Sequence, residues 1–380
     1  MTDIFKNKLI SIRRKIHSNP ELGNQEFKTS ALIEQTLRSA GIRTKRITKT
    51  GLLGWIEGSK AGKCIALRAD MDALPLTEKT GKPYASRRRG VMHACGHDAN
   101  STMVLGAALL LASRKSSFKG TAKFIFQPNE ESSGGAKDMI ESGALRNPVP
   151  DAIVGIHVYP WLPKGTLGIK YGEMMAAVDK FTIEIIGEGG HGAYPHMGKD
   201  AVVIASHVIQ ALQSVVSREL NPVEPAVITI GMIQGGEKFN ILAGRVSLTG
   251  TVRTLNEGLH RRIPKMIERK VAGIAKAFGG GYKFEYENLG PSLRNSKNIL
   301  ELCRNAARKI SGLRQVVLEQ PSMGGEDFAE YLKVVPGCFL YIGSAGKQSF
   351  AWHHEKFDID EEVLPLGAKL LSGVVTTFLS

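Results

Sequence analysis

The chain has 380 residues, 42% hydrophobic and 23% charged, enough to bury a large core and to divide into about two domains. Its formal net charge of +14 sits in short clusters such as Arg13-Arg14-Lys15, Arg43-Thr44-Lys45-Arg46 and Arg87-Arg88-Arg89, with no interleaved aromatics and no reading motif, so no nucleic-acid partner is expected. The opening residues lack a signal peptide's apolar region, no apolar run is read as reaching bilayer length, and Cys64, Cys95, Cys303 and Cys338 have no disulfide-framework spacing; the expectation is a cytoplasmic protein with reduced thiols and no membrane partner.

In chain order, residues 5 to about 40 read as helical, broken at Ser18-Asn19-Pro20, with His17 as a capping or packing residue beside the break. An apolar strand then ends in Asp70 and Asp72. In open α/β sheets ligands bind beyond the carboxyl ends of strands, and each carboxylate fits either such a site or a turn cap. Met92-His93-Ala94-Cys95-Gly96-His97-Asp98 follows, with two imidazoles, a thiol and a carboxylate at the mouth of a buried helix that runs to about Ser113. That donor set suggests a metal site, against the plainer reading of Cys95 as a small buried hydrophobe. A second strand, 121–127, leads to Pro128-Asn129-Glu130-Glu131 and the loop Ser132-Ser133-Gly134-Gly135. The two glutamates fit a solvated turn, or a metal ligand beside a general base. A third strand, 152–158, carries His157 at its end, so three successive strands end in ligand-type residues.

From about Val178 the pattern changes. A half-buried strand at 181–185, an amphipathic helix from Asp200 to Arg218, strands at 226–233 and 245–252, a basic helix at 256–278 and a strand at 282–286 give the order β-α-β-β-α-β, which fits an inserted ferredoxin-like unit. After Gly290-Pro291 the alternation of helix and strand resumes. A helix at 298–310 is followed by a short extended piece at 316–318 and by Gly324-Gly325-Glu326-Asp327-Phe328, which opens another helix. A core strand at 338–342 then leads to Trp352-His353-His354-Glu355 and an acidic turn that caps the last helix.

The strand ends thus deliver Asp70, Asp72, Cys95, His97, Glu130, Glu131, His157 and His354, enough donors for two divalent ions with a base to spare. The segments 67–75, 90–98, 126–131, 155–158, Gly189-Gly190-His191-Gly192-Ala193-Tyr194-Pro195-His196, 250–253 and 353–357 together resemble the aminoacylase and carboxypeptidase family of two-metal peptidases. The resemblance is to its amidohydrolase branch, which includes hippurate hydrolase, N-acetyl-amino-acid deacetylases and plant auxin-conjugate hydrolases.

The resemblance implies an α/β fold. A three-layer catalytic domain with a mixed sheet is expected from residues 1–178 and 290–380, with an inserted α+β lid and dimerisation domain at 179–289. It implies two divalent ions per subunit (zinc, manganese, cobalt or nickel) on Cys95, His97, Glu131, His157 and His354, with Cys95 as a thiolate between them. Glu130 matches the general base, and Asp70 and Asp72 match groups that orient the ligands. His191 matches a histidine that reaches the partner subunit's active site in dimeric relatives, and Asn240 and Arg253 match positions that grip a substrate carboxylate. The implied reaction is hydrolysis of the amide of an N-acyl-L-amino acid of the acetyl or benzoyl kind; the alternative is a carboxypeptidase or dipeptidase with the same centre. A homodimer or higher homo-oligomer through the inserted domain is expected. Two departures stand out: Asn100 where relatives often have histidine, and Phe239-Asn240-Ile241-Leu242-Ala243-Gly244 where they usually read Asn-Val-Ile-Pro-Asp.

Overall fold

The computed structural model describes residues 3–132, 134–346 and 348–380, so Ser133 of the glycine-rich loop lies outside the described residues. The chain forms two compact units, one of Met1–Gly172, Arg294–Gln320 and Asp327–Ser380, the other of Glu173–Leu293 with Pro321–Glu326.

The first unit is built on an eight-stranded mixed sheet. Its strand order is Arg43–Arg46, Leu52–Glu57, Thr121–Gln127, Cys64–Asp70, Ala152–Pro163, Gly337–Ala345, Thr166–Ile169, Arg314–Val317. The four strands at its centre run parallel, so the chain leaves all of them at the same edge of the sheet. All seven residues of Cys64–Asp70 are buried, as expected where both faces of a parallel sheet are covered.

Strand alternation sorts these side chains into two layers. Ile65, Leu67 and Ala69, with Ala152, Val154, Ile156 and Val158, face a core shared with the helices Asp3–His17, Phe27–Ser39, His97–Ala112, Lys297–Arg308 and Val363–Phe378. The helix His97–Ala112 is buried almost all round, which explains its unbroken apolar run. The opposite face carries Arg68, Asp70, Gln127, Gly155 and His157, beneath Gly135–Glu141 and Ala329–Leu332. Gly155 has no room for a side chain, because a Cβ there would lie 2.5 Å from the Phe339 ring. Arg68, buried in this layer, is matched by Asp70 at 2.8 Å and Asp327 at 2.7 Å, and its Nε donates to Gln127 at 2.8 Å.

One guanidinium ties the ends of this unit together. Arg13 is fully buried on the first helix; it donates to Asp98 at 2.6 Å and Asp358 at 2.9 Å, and lies 3.4 Å from Glu361. His17, expected as a capping or packing residue, packs into this network, with Nδ1 2.8 Å from Asp98.

The second unit holds a four-stranded antiparallel sheet in the order Ala226–Gly235, Arg245–Thr254, Ala177–Ile186, Gly281–Gly290. With the helices Ala201–Ser214 and Glu257–Ala277 this is the ferredoxin-like arrangement. Strand Ala177–Ile186 alternates buried and half-buried positions along its length, the mark of a sheet covered on one face. The sequence reading saw no stretch of bilayer length, yet Ala201–Glu219 is long and apolar enough by length and composition. Its Ile204, Val208, Leu212 and Val215 are spent on the core above the sheet.

Candidate metal centre

The carboxyl ends of the central strands bring four of the sequence-predicted ligands together. Donor atoms of Cys95, His97 and His157 lie within 4.8 Å of one another, as do those of His97, Glu130 and Glu131, and those of Cys95, Glu131 and His353. Gly96 makes the first of these groupings possible. It adopts φ +94° between Cys95 and His97, and a Cβ there would lie 2.3 Å from Val158, so only glycine can turn the chain from the thiol into the helix.

The two buried histidines are oriented alike. His97 holds Asp72 through Nδ1, 2.9 Å from the backbone oxygen and 3.1 Å from the carboxylate, while His157 uses Nδ1 on the Val158 carbonyl at 2.8 Å. Each therefore turns Nε2 toward the cluster, as carbonyl or carboxylate partners do for metal-binding imidazoles. His157 Nε2 lies 3.6 Å from the Cys95 sulfur. His97 Nε2 is buried without a hydrogen-bond partner, although oxygens of Asp70, Glu130 and Glu131 each stand 3.9 Å away.

Asp70 and Asp72 are occupied as supporting groups. Asp70 accepts from Arg68 at 2.8 Å and from Asn100 at 2.9 Å. Asn100, the departure noted in the sequence, also accepts the Val158 amide at 3.0 Å, so it bridges the Asp70 and His157 strands. Asp72 accepts the Glu131 amide at 3.0 Å besides orienting His97.

The expectation for the distal histidine is corrected. The structure places His353, not His354, beside the cluster, with Nε2 3.3 Å from Glu131. His353 adopts φ +61° and its amide donates to the Ala94 carbonyl at 2.8 Å, which pins it to the loop that carries Cys95. His354 is exposed, stacks on Phe350 with ring centroids 4.7 Å apart, and accepts the Lys356 amide. The left-handed backbone at 353 accompanies this placement of the two neighbouring imidazoles.

The electrostatics suit a cation. Burial opposes charge at His97, but Asp70, Cys95 and Asp72 together outweigh it and lift the imidazole well above its ordinary value. Against burial, His97 and Arg68 hold Asp70 down to about 2. Burial pushes His157 down to about 4, leaving it a neutral donor. Burial and the Glu131 charge push the Cys95 thiol well up. A positive charge is thus favoured at His97 Nε2, and a thiol, imidazoles and carboxylates around a buried unpaired nitrogen form a donor set fit for divalent ions.

The remaining candidates belong to the second unit. His191 is exposed, pairs with Ile241 across a short two-stranded ladder, and accepts the Ala193 amide on Nδ1 at 3.1 Å. Asn240 adjoins it, with its carbonyl accepting the Gly192 amide at 2.8 Å and its side-chain oxygen buried without a partner. Arg253 lies on a different strand, Arg245–Thr254, where burial pulls its guanidinium below the ordinary value. Sequence reading missed the Arg13 and Arg68 networks; an arginine inside an apolar strand or helix face was the only signal for them.

The model of peptidase family M20/M25/M40 matches residues 66–377. N-acetyl-L-cysteine deacetylase of Bacillus subtilis is 43% identical over 361 residues, covering 95% of this chain and 85% of the relative. Thermostable carboxypeptidase 2 of Saccharolobus solfataricus is 38% identical over 368 residues, covering 95% and 92%. A crystal structure from Bacillus subtilis, described as a dinuclear metal-binding peptidase of the M20 family, matches with a TM-score of 0.88 at 36% identity, covering 100% of this chain and 99% of that one. The conserved architecture and the matched family model lead to one conclusion: the chain belongs to peptidase family M20/M25/M40.

Proposed function

We propose that the protein is a metal-dependent amidohydrolase that cleaves N-acyl-L-amino acids to a carboxylic acid and a free amino acid. The observation that carries this is the buried, unpaired His97 Nε2 facing Cys95, His157 and the carboxylates of Glu130 and Glu131. The similarity to an N-acetyl-L-cysteine deacetylase supports the substrate class.

In this reading Cys95, His97, Glu131, His157 and His353 hold two divalent ions, of zinc, manganese, cobalt or nickel. When bound, such ions polarise the amide carbonyl and lower the pKa of water to about 7. The chain's own residues do the rest. Glu130 takes the proton of the attacking water and passes it to the departing amine. Asp72 and Asp70 keep His97 and its neighbours in position. His191 donates to the developing oxyanion, Arg253 forks onto the free α-carboxylate, and Asn240 assists it. We further propose a homodimer through the second unit, where Met232 and Ile233 are exposed on the edge strand Ala226–Gly235; light scattering should give twice the monomer mass.

The second reading is a carboxypeptidase, favoured by the similarity to thermostable carboxypeptidase 2. Measuring kcat/KM for N-acetyl and hippuryl amino acids against blocked dipeptides separates the two; inert acyl amino acids alongside cleaved peptides would refute the first. A paired substitution tests the ligand set. His353→Ala should weaken binding of one zinc ion at least tenfold, the lower end of what even supporting residues of a metal site cost (about 10–100-fold), and His354→Ala should leave it nearly unchanged. Equal effects in a zinc competition titration would contradict the assignment.

A further inference from the structure

Of the three basic clusters in the sequence, two are matched by acids within the fold. Arg13 and Arg14 face Asp98, Asp358 and Glu361, and Arg43 and Arg46 face Glu57 and Glu34. The third, Arg87-Arg88-Arg89, forms no ion pair among the described residues. Its Arg87 and Arg88 line a cavity of about 680 Å³ together with Lys28, on the helix Phe27–Ser39, and Lys49, in the turn before the strand Leu52–Glu57. Lys28 and Lys49 likewise have no ion pair among the described residues. Glu21 is the one carboxylate of the wall, and it is already engaged: it accepts the amides of Lys28 at 3.0 Å and Thr29 at 2.9 Å, and so caps the helix.

Four unmatched cations around one concavity repel one another and focus a positive field there, which raises the local concentration of anions. The backbone under the guanidinium groups is held in place. The Arg87 amide donates to the Ser18 carbonyl at 3.0 Å, and the Arg88 amide to the Ser86 hydroxyl at 3.1 Å. A carboxylate ligand would answer only one of the four charges. A di- or triphosphate brings about three or four negative charges at neutral pH, with oxygens spaced for the arginine fork. The volume lies in the range of small-molecule sites, about 300–1,000 Å³. Phe27, 46% exposed, adds an apolar face beside the charges, with Lys49 Nζ 5.2 Å from its ring centroid. None of the metal-cluster residues lines the cavity. We propose that it is a binding site for a small polyphosphate, inorganic or carried by a nucleotide, held by Arg87, Arg88, Lys28 and Lys49.

The test is equilibrium dialysis of the metal-loaded protein against tripolyphosphate, ATP and orthophosphate at about 0.15 M salt, where attraction between exposed charges is largely screened. One tripolyphosphate should bind per chain, about tenfold or more tighter than orthophosphate, which cannot reach all four cations. The double variant Arg87→Ala, Arg88→Ala should weaken binding about tenfold or more, as expected when charge-assisted hydrogen bonds are lost. Its melting temperature should match the wild type, because both side chains are exposed. Phe27→Ala distinguishes the two sources. A nucleotide is the ligand if ATP binds more tightly than tripolyphosphate and the variant removes that advantage; equal affinities make the phosphate chain the whole of what is recognised. Binding that the double variant retains places the anion elsewhere, the metal centre included, and overturns the site. Orthophosphate binding as tightly as tripolyphosphate shows an adventitious ion only, and absence of binding to every probe is equally decisive against the proposal. The readout needs no turnover, so failure of the amidohydrolase reading leaves this test intact.

Discussion

Glu130→Gln should lower kcat for N-acyl amino acids by roughly a hundred- to ten-thousandfold, the usual worth of a general base, while the bound metal stays at the wild-type level. Glutamine keeps the volume and hydrogen-bonding reach of the side chain but cannot take a proton at neutral pH. The contrast with its neighbour explains why metal should persist. Glu131 stands with Cys95 and His353, and its amide is held by Asp72 at 3.0 Å, which suits the ligand role proposed for it. Glu130 stands on the His97 side of the cluster, 3.9 Å from Nε2, and also groups with Glu326 and Asp327. Steady-state kinetics with elemental analysis of the same sample check both halves. Near-wild-type activity would remove Glu130 from the mechanism, and loss of metal in step with activity would make it a ligand instead.

Arg13→Met should cost about 3–5 kcal/mol of stability, the usual penalty for leaving a buried charge without its partner. The side chain touches no ligand. It is the shared partner of Asp98, which is wholly buried, and of Asp358. Methionine fills much of the space but takes the guanidinium away from both carboxylates, leaving Asp98 to His17 and Asp358 to the Tyr84 hydroxyl and Lys82. A large drop in melting temperature is expected, with partial recovery in Arg13→Met combined with Asp98→Asn. A fall of less than 1 kcal/mol, the range of surface pairs, would show that the network contributes little.

The same network sets the response to acid. Against burial, Arg13 and His17 hold the Asp98 carboxyl well below the carboxylate range. Its stabilising contribution is therefore complete above the unfolded value near 3.9, and is lost as pH falls below it toward the folded value. His93 works in the same direction at higher pH. Burial pushes it down to about 4, so the unfolded chain takes up a proton below about 6.5 that the folded chain refuses. Stability should decline in two stages on acidification, the first between about pH 6.5 and 4 and the second below about 4, as urea titrations across that range would record.

Much of the centre was legible because its residues sit where strands stop. Apolar runs ending in Asp70, in Glu130 and Glu131, and at His157 mark one edge of a parallel sheet, and the Cys95-Gly96-His97 turn opens the helix that fills the gap between them. What could not be read depends on backbone geometry or on distance along the chain. His353 and His354 have the same chemistry, and only a left-handed turn at 353 separates them. Strands Arg43–Arg46, Leu52–Glu57 and Thr166–Ile169 went unseen because they are short, and the first of them is mostly exposed, with little apolar pattern. The first loop break proved longer than its proline suggested, since the first helix ends at His17 and the next begins at Phe27. Arg13 looked like one more solvated cation in a basic cluster; its partners Asp98 and Asp358 lie far along the sequence, and no local period announces them.

The strand order also governs how the protein comes into being on the ribosome. Ala152–Pro163 lies in the middle of the finished sheet, but its neighbour on one side is Gly337–Ala345, made much later. Between the two, the contiguous stretch Glu173–Leu293 is synthesised and holds an apolar core of its own. For that whole interval the half-built sheet carries an open apolar edge, the kind of surface that pairs with other chains. His353 emerges later still. A nascent or prematurely terminated chain thus presents Cys95, His97 and His157 before the histidine that groups with Cys95 and Glu131 has been made.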